Sequence, residues 1–170
     1  MANPDIKKFP TNTAGKLYFG KWPSVETLRK LQALKVDVIW NLANELKVLI
    51  PFETHFIPTV IHGDIEDFGI PENIGAFLGQ VKQIASLLAS GKNVFVHCWS
   101  SIGRTGLALS SLEVVLNHSK PDVALAKAHS TCGGPETEAQ KQFVRSFYDH
   151  INGSTKKKTT APVKNVPTKK

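Results

Sequence analysis

Cysteine is scarce in this chain: Cys98 and Cys132 are the only two in 170 residues. Two thiols cannot build the multi-bridge framework on which small secreted domains depend. Long apolar runs are missing too, and none approaches the roughly twenty residues that span a bilayer. The start, Met1-Ala2-Asn3-Pro4-Asp5-Ile6-Lys7-Lys8, holds no hydrophobic signal region, so the expected address is cytoplasmic and reducing. His55, His62, His118, His129 and His150 show no metal-ligand spacing with cysteine or carboxylate, which points to surface or capping roles and to no metal or organic cofactor.

Acidic and aromatic residues are absent from one stretch altogether. Residues 153–170 contain six lysines and neither kind of residue, the composition of a disordered tail. That tail accounts for most of the formal charge of +7, so the rest of the chain is nearly neutral. A basic arm suits RNA, an acidic membrane surface or an acidic protein, but without aromatics to stack bases the case for nucleic acid is weak. Residues 1–152, in a chain that is 41% hydrophobic, suffice for one substantial core and one domain. A monomer is expected.

What is present is an alternation of strand and helix. Lys16 to Gly20, Val36 to Leu42, and Phe56 to Ile61 read as strands, with Pro58 marking an edge or bend. Ser24 is placed to cap a helix whose face is Thr27, Leu28, Leu31 and Leu34. Asn73 to Ser90 carries Ile74, Phe77, Leu78, Val81, Ile84, Ala85 and Leu88 at helical spacing. Further helices are expected after Arg104, from Lys120-Pro121-Asp122, and from Pro135 to about Ile151. The pattern predicts an α/β fold: a central, mostly parallel, twisted sheet flanked by helices.

One segment carries chemistry. Val94-Phe95-Val96 reads as a buried strand, His97-Cys98 follows, and Trp99-Ser100-Ser101-Ile102-Gly103 separates the cysteine from Arg104-Thr105-Gly106, where a helix begins. Loop amides and the helix N-terminus can point into one small bowl that favours an oxyanion. The same field favours a thiolate at Cys98 as nucleophile. Arg104 offers a planar fork for two phosphoryl oxygens. Thr105 can set its hydroxyl against the sulfur, and His97 suits a role in orienting the loop better than that of a base. Trp99 could wall the pocket or pack beneath the loop, while Trp22 and Trp40 read as packing residues. Cys132 could resolve an oxidised Cys98 or be an ordinary loop thiol.

His97-Cys98, five residues, then Arg104-Thr105-Gly106 resembles the signature of the cysteine-dependent protein tyrosine phosphatase superfamily. Its place past the middle of the chain resembles the small dual-specificity phosphatases, whereas low-molecular-weight phosphatases and arsenate reductases carry such a loop near the start. The resemblance runs from about Lys16 to Ile151 and includes Asn41-Leu42-Ala43-Asn44-Glu45. It departs at Ser101, where the family usually has glycine, and this puts the shape of the cradle in question. It implies a protein tyrosine phosphatase-like fold and a phosphate-binding loop of residues 99 to 104.

A hydrolase of this kind needs an acid to protonate the leaving oxygen. His62-Gly63-Asp64-Ile65-Glu66-Asp67-Phe68-Gly69-Ile70-Pro71 holds three carboxylates. The resemblance assigns the acid to Asp67, with Asp64 as competitor. The same resemblance implies that Gly133-Gly134-Pro135-Glu136-Thr137-Glu138-Ala139-Gln140 closes one side of the site, where Glu136 or Gln140 could position water or brace the arginine, or merely start a helix. The expected function is hydrolysis of phosphotyrosine, and of phosphoserine or phosphothreonine, in protein substrates through a phosphocysteine intermediate. The alternatives are an RNA 5′-phosphatase, an inositol phosphate phosphatase, and a non-catalytic phosphoprotein-binding module. The absence of a cation among residues 99 to 103 counts against highly charged inositol substrates.

Overall fold

Val94, Phe95, Val96 and His97 form the middle strand of a five-stranded sheet, and every one of them is buried. A computed structural model describes residues 5–156 of the chain. Its strands are β1 (Ile6–Phe9), β2 (Leu17–Gly20), β3 (Val38–Ala43), β4 (Thr59–Ile65) and β5 (Val94–His97); its helices are α1 (Val25–Ala33), α2 (Ile74–Ala89), α3 (Gly103–Asn117), α4 (Pro121–Cys132) and α5 (Glu138–Lys156). Across the sheet the order is β1-β2-β5-β3-β4. All pairs are parallel except β1 with β2. The α/β fold with a mostly parallel sheet flanked by helices is therefore present.

Side-chain alternation along the strands decides which layer each residue joins. Leu17, Phe19, Val38, Trp40, Leu42, Val94 and Val96 pack with α2, α3, α4 and α5, while Tyr18, Ile39 and Phe95 face Leu28 and Leu31 of α1. A fully buried side chain of this size stabilises by about 1.5–3 kcal/mol, so this division also fixes the register. The parity continues past the strand end: Cys98 joins the α2–α5 side, and the His97 ring stacks on Phe95, centroids 5.8 Å apart. In α3, every residue from Gly103 to Val114 is buried. The helix that begins at the cysteine loop is thus held from all sides.

Several boundaries differ from the sequence reading. β4 starts at Thr59 rather than Phe56 and runs to Ile65, because Pro58 has no N–H to give a ladder. Opposite Leu42, β4 bulges at Gly63-Asp64, so that Asn41 pairs with His62 and Ala43 with Ile65. The antiparallel β1 was not foreseen, since Ile6-Lys7-Lys8-Phe9 is short and half charged. Leu34 caps α1 at its C-terminus and is 38% exposed, so it leaves the buried face. Pro135 precedes rather than opens the last helix, which starts at Glu138 and continues past Ile151 to Lys156. The tail expected from Gly153 thus begins inside α5, and residues 157–170 lie outside the described residues.

Candidate active site

The carboxyl ends of β5, β3 and β4 lie side by side because the three strands are adjacent and parallel. Open α/β sheets place their sites along this edge. The loop after β5 supplies Cys98, the residues just after β3 supply Glu45, and the loop after β4 supplies Asp67. Arg104, in the first turn of α3, connects all three.

The Cys98 side chain is buried, and its sulfur accepts a hydrogen bond from the Thr105 hydroxyl at 3.1 Å. Such a donor favours negative charge on sulfur. The α3 N-terminus has no side-chain cap, so its first amides remain available to an anion.

Arg104 is 2% exposed. Its Nη1 donates to Glu45 Oε2 at 2.7 Å and to the Ile65 carbonyl at 2.9 Å; its Nη2 donates to Glu45 Oε1 at 2.6 Å and to Asp67 Oδ1 at 3.1 Å. Burial alone would lower the guanidinium's affinity for its proton, but the bidentate Glu45 pair outweighs it and raises the pKa. The hydrogen bonds from Arg104 likewise hold the Glu45 carboxyl below its ordinary range. Glu45 thus orients the fork by its far edge. Sequence reasoning noted the segment but missed this partnership, whose one legible signal is an acid two residues beyond a strand that neighbours β5.

Asp67 lies at the arginine and also accepts from the Phe68 amide at 3.1 Å. Asp64, with a φ of 49°, sits at the bulge and lines a different cavity with His62, Pro71, Asn73 and Gln80. The geometry therefore brings Asp67, and not Asp64, to Arg104. Gln140 is fully buried; its Oε1 accepts from the amides of Glu136 and Thr137, and its Nε2 donates to the Gly69 carbonyl at 3.1 Å. It fastens the Asp67 loop to the start of α5 instead of bracing the arginine. Glu136 lies over Gly103, where a β-carbon would collide with its carboxylate. Gly106 and Gly134 approach so closely that a β-carbon on either would meet backbone. That contact seats the segment before α5 on the cysteine loop.

His97 is fully buried, and its Nδ1–H donates to the Cys98 carbonyl at 3.0 Å. Burial pushes its pKa down to about 4, so the ring is neutral near pH 7 and shapes the loop. Because the folded pKa lies below the unfolded value of about 6.5, the stability from the neutral ring is complete above the unfolded value. It is lost as pH falls toward about 4. The cost at pH 4 relative to pH 7 should be about 3 kcal/mol. Denaturant unfolding of wild type and His97→Asn should show their stability difference shrinking by that amount over this range; a constant difference would contradict it.

Ser101 has a φ of 68°, the left-handed region. This explains why glycine is usual at this position in the family the sequence resembles. The cradle keeps that backbone despite the serine, and the buried Ser101 hydroxyl has no hydrogen-bond partner among the described residues. Ser101→Gly should stabilise by about 1 kcal/mol, a rise of roughly 3 °C in Tm for a chain of this size. A lower Tm would show that the side chain does more than fill space.

Trp99 is 55% exposed and stacks on Trp22, itself 42% exposed, with ring centroids 6.0 Å apart. Trp22 is thus not the packing residue the sequence suggested. Trp40 is buried, with its Nε1 donating to Gln80. Cys132 is half-buried, its sulfur 3.9 Å from the Ile102 carbonyl, and burial raises its pKa. A thiol kept protonated is a poor resolving nucleophile. Among the described residues, no cluster of histidine, cysteine and carboxylate could hold a metal ion, and no helix is long and apolar enough to cross a membrane.

Residues 14–118, which carry this loop, Arg104 and Asp67, match the family described as polymorphic toxin system, DSP-PTPase phosphatase. The chain belongs to this family. Two proteins named as tyrosine phosphatases are similar to this DSP-PTPase domain. One, 197R of Invertebrate iridescent virus 6, is 29% identical over 154 residues, covering 85% of this chain and 57% of the viral protein. The other, 067L of Invertebrate iridescent virus 3, is 30% identical over 151 residues, covering 79% and 63%. The chain thus spans about three-fifths of the length of these relatives. Among solved structures, Tk-PTP in its active form superposes with a TM-score of 0.75 at 22% identity, covering 88% of this chain and all of that one. PTPMT1 in complex with PI(5)P gives 0.72 at 13% identity, covering 89% and 99%. At such identities the DSP-PTPase chain shares their fold.

Proposed function

We propose that the chain hydrolyses phosphomonoesters through a phosphocysteine intermediate, acting on phosphotyrosine in proteins and also on phosphoserine and phosphothreonine. The observation that carries this reading is the Arg104 guanidinium, which contacts both the Glu45 brace and Asp67. It sits one residue before the Thr105 hydroxyl that bonds the Cys98 sulfur. A nucleophile, an anion fork and an acid are thereby joined across three loops.

In the first step the Cys98 thiolate attacks phosphorus, and a P–S bond forms as the P–O bond to the leaving group breaks. The leaving oxygen keeps that electron pair and takes the Asp67 proton. Arg104 and the loop amides stabilise the equatorial oxygens as charge redistributes. In the second step water attacks phosphorus and gives a proton to the Asp67 carboxylate. The P–S pair returns to sulfur, where Thr105 donates. The exposed Trp99, Trp22 and Phe68 offer apolar area to an aryl ring beside the cradle, which favours phosphotyrosine. Residues 99 to 103 carry no cation, which argues against an inositol phosphate in the cradle itself.

The acid assignment is tested by leaving groups. Asp67→Asn should slow an alkyl phosphate about 10²- to 10⁴-fold and a good aryl leaving group much less, whereas Asp64→Asn should slow neither. If Asp64→Asn alone produces the loss, the proton comes from the other carboxylate.

A further inference from the structure

On the outer side of the cysteine loop lies a second cavity of about 230 Å³, separate from the Cys98–Arg104 cradle. Its walls come from β1 (Lys7, preceded by Asp5), from the end of β2 (Phe19, Gly20 and Lys21), and from Ser100, Ser101 and Ile102, with Cys132 at one side. Neither Lys7 nor Lys21 forms an ion pair among the described residues. Among the described residues of the wall, one acid, Asp5, stands against two lysines, an excess of positive charge. Ser101 borders the same cavity by other atoms; its hydroxyl is itself buried and has no hydrogen-bond partner among the described residues.

We infer that this cavity binds a second phosphate group, distinct from the one in the cradle. Two ammonium groups act as point charges for phosphate, and the volume accommodates one tetrahedral anion with its waters. The cations that the loop lacks are thus supplied by the hairpin of β1 and β2. That hairpin is held to the loop region by β2 pairing with β5, Gly20 opposite His97, and by the Trp22 amide donating to the Trp99 carbonyl at 3.2 Å. The phosphate could be free inorganic phosphate or a second phosphate on the substrate, and two experiments separate these sources.

The first uses full-length Cys98→Ser protein titrated with inorganic phosphate by calorimetry. Two phosphates per chain are expected, falling to one in Cys98→Ser/Lys7→Gln/Lys21→Gln; equal stoichiometry in the two proteins overturns the inference. Both lysines are exposed, so the substitutions leave the core intact. The second rests on the hydrolase reading above, whereas the first does not, so failure of either idea is distinguishable. Lys7→Gln/Lys21→Gln should leave kcat/KM for p-nitrophenyl phosphate unchanged. A rise of about five- to tenfold in KM for a doubly phosphorylated peptide, with none for its singly phosphorylated form, assigns the site to the substrate. Unchanged KM for both, together with the drop in stoichiometry, assigns it to the free anion. An equal loss on all three substrates would contradict a separate site.

Discussion

Cys98→Ser is expected to reduce turnover of an aryl phosphate by at least about 10³-fold while leaving phosphate affinity nearly unchanged. A serine hydroxyl does not ionise in the accessible pH range, so the Thr105 donor that stabilises the sulfur anion at 3.1 Å has no comparable charge to meet. The parts that bind the anion are separate: the Arg104 fork is fixed by Glu45, and the α3 N-terminus supplies amides. The split between kcat and binding is therefore the diagnostic feature. Steady-state kinetics with calorimetric phosphate binding would measure it, and comparable turnover by the two proteins would remove Cys98 from the chemistry.

Arg104→Lys should cost about 10²- to 10³-fold in kcat/KM. The change retains the charge and loses the shape. Two planar N–H groups lie against the two Glu45 oxygens at 2.7 and 2.6 Å, and the same two nitrogens reach the Ile65 carbonyl and Asp67. A single ammonium cannot reproduce four directed bonds while facing a phosphoryl group. The buried Ile65 carbonyl would also lose its donor, and a lower Tm should accompany the kinetic loss. Kinetics on folded variant, checked by circular dichroism, would decide; a loss smaller than about tenfold would mean that charge alone suffices.

Glu45→Gln belongs to the same argument, because it removes the charge that holds the fork and keeps the side chain's length. Glu45 was also the main thing hidden in the sequence. It lies 59 residues from Arg104, and only the pairing of β3 with β5 brings them together. The cysteine loop, by contrast, is local: strand, loop and helix N-terminus are consecutive, so the apolar run Val94–Val96 and the glycines on either side of Arg104-Thr105 sufficed to describe it. Asp67 needed the resemblance, since three carboxylates lie within four residues and it is the Gly63-Asp64 bulge, invisible as a pattern, that sets Asp64 apart from Asp67.

Helix faces were legible where one stripe packs against the sheet. In α2, Phe77, Val81, Ile84, Ala85 and Leu88 are buried as the 3.6-residue period requires. β1 was not legible, because an edge strand with two exposed lysines carries too little alternation. That omission mattered for function as well as fold. Lys7 comes from β1 and lies beside the cysteine loop, so a site judged neutral from its own five residues has cations nearby.

The account rests on a covalent phosphocysteine. Acid-quenching the wild-type protein during turnover of an aryl phosphate, followed by mass spectrometry of the peptide containing Cys98, tests it directly. One phosphoryl group on Cys98, more abundant in Asp67→Asn and absent from Cys98→Ser, is the predicted result. Brisk hydrolysis by a protein whose Cys98 never carries phosphorus, at quench times well inside a single turnover, would contradict it.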